Sequence, residues 1–83
     1  MKEFNIKIEI KLKPVVLDPQ GKSVLSALHK LGFKDVTNTR IGKIIELSVN
    51  GDDKDKVLEK VDSMCKILLA NPVIENYEFQ IVN

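Results

Sequence analysis

An α+β fold with the element order βαββαβ is predicted for this chain by three patterns in its sequence. Apolar and polar residues alternate near residues 4–12, 45–49 and 77–81, with the period of two that lets a strand bury one face. Apolar residues recur at helical spacing in two intervening stretches, near residues 19–31 and 54–71. A Thr-rich stretch at residues 36–41 supplies the remaining strand. With 83 residues, the chain is long enough for one domain spanning residues 1–83.

The first strand and the first helix have clear boundaries. The inward positions of the strand are Phe4, Ile6, Ile8, Ile10 and Leu12. Pro14 lacks an N–H and ends the strand, and Asp18 followed by Pro19 predicts an N-cap and the first helical residue. The helix is expected to run to about residue 31, with Gly32 at its carboxyl end and Phe33 packed over that end. Its predicted buried stripe is Val24, Leu25, Leu28 and Leu31.

The second half of the chain predicts a hairpin, a helix and a last strand. Residues 36–41 and the strand marked by Ile45, Leu47 and Val49 are joined around Gly42 by a connection too short to cross over, so they are expected to pair antiparallel. Asp52 and Asp53 suit the start of the second helix, where the helix dipole favours carboxylates. The predicted stripe of that helix is Val57, Val61, Met64, Cys65 and Leu68. Asn71 and Pro72 end it, and Tyr77, Phe79 and Ile81 mark the fourth strand.

These elements describe a ferredoxin-like βαββαβ sandwich, in which a four-stranded antiparallel sheet carries both helices on one face. The opposite face of the sheet would be mostly polar, with a few apolar members such as Ile44 and Val82. Such a face suits either solvent or a hydrated protein interface.

Composition and charge exclude several classes of function. Thirteen basic and twelve acidic residues give a net charge of +1, which is too balanced for non-specific nucleic-acid binding. Residues 1–42 carry +4 and residues 43–83 carry −3, a dipolar arrangement that suits pairing with a second copy. The single cysteine, Cys65, excludes an internal disulfide and fits a cytoplasmic protein. Neither a membrane span nor a secretion signal is indicated.

Catalytic chemistry requires convergent groups, and the sequence offers only one histidine, His29, and one cysteine, Cys65, without evident partners. Cys65 lies on an apolar stripe and is predicted to be a buried core residue. Arg40 and Lys43 could bind a phosphate or a partner's carboxylate, or could form a solvated turn. Val73 and Ile74 are apolar residues in a predicted loop, which suggests a contact surface.

Several motifs taken together resemble one known family. They are Val16-Leu17-Asp18-Pro19-Gln20-Gly21, Arg40-Ile41-Gly42-Lys43 with Glu46-Leu47, Met64-Cys65, and Leu68-Leu69-Ala70-Asn71-Pro72-Val73-Ile74-Glu75-Asn76-Tyr77. In this order and at this chain length they are similar to the PurS family, and the resemblance covers essentially the whole chain. PurS is the small subunit of phosphoribosylformylglycinamidine (FGAM) synthase, an ATP- and glutamine-dependent carbon–nitrogen ligase of purine biosynthesis.

The resemblance implies a subunit without catalytic activity of its own, which bridges a PurQ-type glutaminase and a PurL-type synthetase and assists ammonia transfer. It implies no cofactor or metal for this chain, because ATP and Mg²⁺ are used by the synthetase subunit. The alternative is a regulatory module of ACT type that binds a small effector between two copies.

Partner contacts are predicted on three loops at the ends of elements, because these loops include the most motif-like residues. Their members are Asp18, Pro19, Gln20 and Gly21, then Arg40, Gly42 and Lys43, then Asn71, Pro72, Val73 and Ile74. A homodimer or a dimer of dimers is also expected, because the core is small and an open sheet edge offers unpaired N–H and C=O groups.

Overall fold

The computed structural model describes residues 2–82 and shows an α+β chain in which a three-stranded antiparallel sheet is accompanied by two helices. The strand order is β2-β1-β3, so β1 is central and β2 and β3 form the edges. The elements are β1 Lys2–Leu12, α1 Pro19–Lys30, β2 Gly42–Gly51, α2 Lys54–Met64 with a π-helical extension Cys65–Leu69, and β3 Glu75–Ile81.

The core lies between β1 and α2. Alternation on β1 directs Ile6, Ile8 and Ile10 to one face of the sheet, where they are fully buried. The buried side chains that complete this core are Val57, Val61, Cys65 and Ala70. Residues on the inward faces of β2 and β3 are only partly buried.

The predicted burial of Cys65 is confirmed, since its side chain has no exposed surface. Desolvation raises the pKa of its thiol, which keeps it protonated and unreactive at neutral pH. We expect Cys65→Ala to lower the free energy of unfolding by about 1 kcal/mol through the small cavity it leaves. Urea denaturation measures this loss. Assembly with the subunits that the PurS resemblance implies, and turnover of the resulting enzyme, should stay near wild type. A folded Cys65→Ala protein without activity would instead reveal a functional thiol.

The predicted strand at residues 36–41 does not form within the chain, so the sheet has three strands rather than four. The expected hairpin is absent, and Gly42 does not adopt a left-handed conformation; Gly32 is the single residue with positive φ among residues 2–82. Tight hairpin turns require such a conformation. No turn or bend interrupts residues 36–51, so residues 36–41 lead directly into β2.

Helix α1 begins and ends as predicted but does not pack on the sheet. Asp18 is its N-cap, Pro19 its first residue, and Gly32 closes its carboxyl end with φ 102°. Among the described residues, α1 makes only marginal contact with the strands and with α2. The prediction of two helices on one sheet face is therefore wrong for the single chain. The predicted stripe is incompletely covered, with Val24, Leu31 and Phe33 exposed.

The second helix also departs from its predicted stripe at its carboxyl end. Ala70 donates its N–H to the Cys65 carbonyl at 3.0 Å, which closes a π turn. A π turn holds one more residue than an α turn. Leu69 is therefore partly buried, whereas Leu68, predicted to be in the core, is 80% exposed.

The resulting chain is long and thin, with extents of 52 × 27 × 14 Å. We call residues 19–41, which comprise α1 and the segment after it, the arm. Within residues 2–82, helices of the length and hydrophobicity needed to cross a bilayer do not occur.

Candidate partner interface

The three loops predicted to contact partners lie together at one end of the sheet, which we call the loop end. In the antiparallel sheet, β1 finishes here at Leu12 while β2 and β3 begin here at Gly42 and Glu75. Lys13, directly after β1, donates its N–H to the Ile74 carbonyl at 2.8 Å. The loop that leads to α1 is thereby fastened to the loop that precedes β3.

Asp18 holds the second connection at the loop end. Its carboxylate is buried, with 4% of the residue exposed, and accepts the Ile41 N–H at 2.7 Å and the Gly21 N–H at 2.9 Å. These hydrogen bonds, that from Ile41 foremost, lower the pKa of the Asp18 carboxyl below its usual range. One side chain thus caps α1 and fixes the start of β2 beside it.

Gly21 allows the first turn of α1 to lie close to the segment before β2. A Cβ at this position would overlap the Thr39 carbonyl oxygen and would lie 2.9 Å from Asp18 Oδ2. The close approach between the first turn of α1 and residues 39–41 therefore requires glycine.

Two basic residues, Lys11 and Arg40, line an open cavity at the loop end. The guanidinium of Arg40 donates to the Lys13 carbonyl at 3.0 Å and remains exposed. Lys43 is also exposed, one residue after the start of β2. The cavity has a volume of about 540 Å³, and its lining consists of Lys11, Leu12, Pro14, Asn38, Arg40, Ile41 and Gly42. Since these described lining residues include cations and no carboxylate, the cavity suits a negatively charged group of a partner.

The loop before β3 presents apolar side chains on a defined backbone. Asn71 Oδ1 accepts the Val73 N–H at 3.1 Å, and the Asn71 N–H is donated to Glu75 Oε1 at 2.7 Å. The Glu75 N–H is in turn donated to the Asn71 carbonyl at 2.7 Å. Held in this way, Val73 is 78% exposed and Ile74 lies beside it. A fixed apolar loop of this kind is typical of a protein contact.

Four further apolar residues near the loop end were not predicted from the sequence as contact residues. They are Val15 and Leu17, between β1 and α1, and Ile67 and Leu68, in the π turn before Asn71. The run Val15-Val16-Leu17 in a loop could have indicated the first pair. Exposure of the second pair depends on the π turn, for which the sequence carries no evident signal.

Hydrogen bonds and an ion pair engage several of the side chains that could take part in chemistry. His29 Nε2 donates to the Val36 carbonyl at 2.8 Å, which ties the end of α1 to the rest of the arm. Tyr77 donates its hydroxyl to Asp62 Oδ1 at 2.6 Å, and this bond raises the pKa of Tyr77 to about 12. Lys66 pairs with Asp62 at 2.9 Å. Within residues 2–82, no three His, Cys, Asp or Glu side chains are placed to hold a metal ion together.

Comparison with known proteins identifies relatives over most of the chain. The family model described as PurS, phosphoribosylformylglycinamidine (FGAM) synthase, matches residues 5–83. The PurS subunit of phosphoribosylformylglycinamidine synthase from Synechocystis sp. is 46% identical over 78 residues, which cover 94% of this chain and 78% of that protein.

Solved structures agree with this relationship. The crystal structure of Methanocaldococcus jannaschii PurS, a subunit of formylglycinamide ribonucleotide amidotransferase, has a TM-score of 0.84 at 40% identity and covers 96% of both chains. A chain in the PurLQS structure from Thermotoga maritima has a TM-score of 0.91 at 34% identity, covering 99% of this chain and 100% of that one. The matches are to PurS proteins, and the ACT-type alternative receives no support from them.

Proposed function

This chain belongs to the PurS family of phosphoribosylformylglycinamidine synthase subunits, and we propose that it bridges the glutaminase and the ATP-dependent synthetase of that enzyme. The relative of known structure from Thermotoga maritima is part of PurLQS, which motivates a PurL-type and a PurQ-type partner for this chain. In this role the chain acts in the cytoplasm and assists the transfer of ammonia from one active site to the other. ATP, Mg²⁺ and the reacting substrates are held by the partners, and this chain needs no cofactor.

The observation that carries this proposal is the arrangement of the loop end. Hydrogen bonds of Lys13 and Asp18 fasten three loops together, and Asn71 fixes the loop before β3. The exposed residues on those loops include both basic and apolar side chains. Protein interfaces combine an apolar centre with a polar, charged rim. A fixed surface with apolar Val73 and Ile74 on one loop and Arg40 and Lys43 on another fits that description.

Lys43 is the residue with which this surface is best tested. Its side chain is exposed, so Lys43→Glu should leave the fold intact. Arg40 is less suitable because its guanidinium also bonds to the Lys13 carbonyl, and reversing it would disturb the loop as well as the charge. We expect Lys43→Glu to weaken assembly with the PurL-type and PurQ-type subunits by about tenfold, and the salt dependence of assembly to become shallower. Sedimentation velocity at two ionic strengths measures both.

The matched control is Lys2→Glu, which makes the same change in net charge at the opposite end of β1. It should assemble like wild type, because Lys2 is remote from the loop end. If Lys43→Glu binds both partners as tightly as wild type at low salt, the contacts lie elsewhere on the chain.

A further inference from the structure

Gly42 has a structural role that differs from the turn expected of it. It is the first residue of β2 and pairs with Lys11 of β1. A Cβ at this position would lie 2.8 Å from the Ile10 carbonyl oxygen and 3.1 Å from Lys11 Cγ, which is closer than side chains normally approach. Glycine is therefore required by the close approach of the two strands. The missing side chain leaves room for the cavity at the loop end, of which Gly42 is a lining residue.

The chain on both sides of this cavity contributes polar side chains. Residues 36–41 lead into β2 without a turn, and alternate residues of an extended chain share a face. Asn38 and Arg40 therefore lie on the same side as Gly42, and both line the cavity. Lys11, on the neighbouring strand, lines it as well. Three polar side chains thus border one open space.

The two cations that line the cavity are unpaired within the part of the chain that the structure describes. Among residues 2–82, neither Lys11 nor Arg40 forms an ion pair with a carboxylate. Arg40 donates one N–H to the Lys13 carbonyl, which fixes the guanidinium and leaves its other donors for a ligand. Asp18 interacts electrostatically with Arg40, but each oxygen of its carboxylate already accepts a backbone N–H. The cavity therefore has a positive potential that no described side chain neutralises directly.

The cavity is larger than a single anionic group needs. Its volume of about 540 Å³ lies within the range of small-molecule sites, which is roughly 300–1,000 Å³. Part of its wall is apolar and consists of Leu12, Pro14 and Ile41. A few polar groups beside apolar walls are typical of sites that bind a whole small molecule. A lone carboxylate side chain from a partner protein would leave most of this space unfilled.

We propose that this cavity binds a small phosphorylated molecule. The phosphate lies between Lys11 and Arg40 and accepts a hydrogen bond from the Asn38 amide, while the rest of the molecule contacts the apolar wall. Two cations offset the roughly two negative charges of a phosphate monoester at neutral pH, and a guanidinium can donate two N–H groups to its oxygens. A carboxylate carries a single charge and matches this pair of cations less well. The proposal does not rest on the bridging role.

Titration of the intact chain with phenyl phosphate tests the site, with binding followed by amide chemical shifts in NMR spectra. We expect saturable shifts at residues 11–13 and 38–42. Inorganic phosphate and benzoate should each bind severalfold more weakly, because the first lacks a group for the apolar wall and the second lacks the second charge. Absence of saturable shifts at these residues, or tighter binding of benzoate than of phenyl phosphate, would overturn the proposal.

Asn38→Asp is the most informative variant, because it keeps the shape of the side chain and adds a negative charge to the cavity. Asn38 is exposed, so the fold should be retained. We expect the affinity for phenyl phosphate to fall by about tenfold or more. Lys11→Gln, which only removes a charge, should cause a smaller loss. The matched control is Asn50→Asp, the same change at an exposed residue near the other end of β2, and it should bind like wild type. Equal affinity in Asn38→Asp and wild type contradicts the assignment.

The source of the anion is distinguished by adding the PurL-type and PurQ-type subunits. A site for a free molecule should still bind phenyl phosphate in the assembled enzyme, measured as the difference between assemblies made with wild-type and with Asn38→Asp chain. Loss of that difference on assembly would identify a carboxylate of a partner as the occupant and overturn the proposal. Lys43 is not a lining residue of the cavity. The effect of Lys43→Glu on assembly therefore tests the bridging role separately.

Discussion

Omitting this chain from a mixture of the PurL-type and PurQ-type subunits is expected to reduce glutamine-dependent product formation to near background. Free ammonium should still support the reaction. The reason is that the proposed bridge contains no reacting group and acts only on the distance between two active sites. Chemistry at the synthetase therefore persists, and only the delivery of ammonia from the glutaminase fails.

The size of this effect follows from what happens to ammonia that is released into water. At neutral pH most of it is protonated to ammonium, which is not a nucleophile, and the remainder is diluted by diffusion. Two sites held together replace this dilute encounter by delivery at high effective concentration, which in comparable linked systems is worth roughly 10²–10⁴-fold. We expect a loss of glutamine-dependent turnover within that range.

The measurement is a side-by-side assay with glutamine or ammonium chloride as nitrogen source, with and without this chain. Adding back wild-type chain should restore the glutamine reaction, and adding back Lys43→Glu should restore it only at higher protein concentration. Equal glutamine-dependent rates with and without the chain would show that the two larger subunits need no bridge.

Most of the sheet could be predicted from the sequence because its signals are local. Alternation in β1 identifies Ile6, Ile8 and Ile10, in the middle of the strand, as core residues. The N-cap at Asp18 and the glycine at the end of α1 are likewise determined by groups a few residues apart. The topology then brings the end of β1 and the starts of β2 and β3 to one end of the sheet, where the predicted contact loops meet.

The sequence did not predict properties that depend on residues far along the chain or on another chain. Residues 36–41 have the composition of a strand, but composition does not specify which edge, or which chain, will pair with them. Periodicity in α1 predicts an apolar stripe but not what covers it. The π turn at Cys65–Leu69 adds a single residue to one turn, and this is enough to exchange Leu68 for Leu69 at the core.

The hydrogen bond from the Ile41 N–H to Asp18 is another feature that the sequence did not predict. Its role as an N-cap needs only Gly21, three residues away, whereas its bond to the Ile41 N–H spans twenty-three residues. Sequence alone therefore identifies Asp18 as a helix cap and gives no indication that it also fastens the arm to β2.

Replacing Asp18 by alanine is accordingly expected to impair both stability and assembly. Asp18→Ala removes the cap of α1 and leaves the Ile41 N–H without its acceptor in a partly buried site. We expect the melting temperature to fall by roughly 5 °C or more. Glutamine-dependent turnover of the assembled enzyme should fall with it, because Arg40 and Lys43 are then no longer held beside the start of α1.

Lowering the pH should cause a similar loss of stability in the wild-type chain. The folded-state pKa of Asp18 is lowered, so its contribution to stability is present above the ordinary carboxyl pKa of about 4. That contribution is lost as the pH falls further, through the lower folded-state value. The difference in free energy of unfolding between wild type and Asp18→Ala should therefore be constant near neutral pH and become smaller below about pH 4.

The matched control for Asp18 is Asp53→Ala, because Asp53 caps α2 in the same manner. It accepts a single N–H, from Asp55 at 2.9 Å, is exposed, and lies at the end of the sheet opposite the loop end. Asp53→Ala should lower the melting temperature by a few degrees and leave assembly and glutamine-dependent turnover unchanged. If the two variants lose assembly equally, general destabilisation explains the effect. If Asp18→Ala assembles normally despite its lower melting temperature, the geometry at the loop end is not what the partners recognise. Loss of assembly in Asp18→Ala alone assigns partner binding to the end of the sheet that this carboxylate organises.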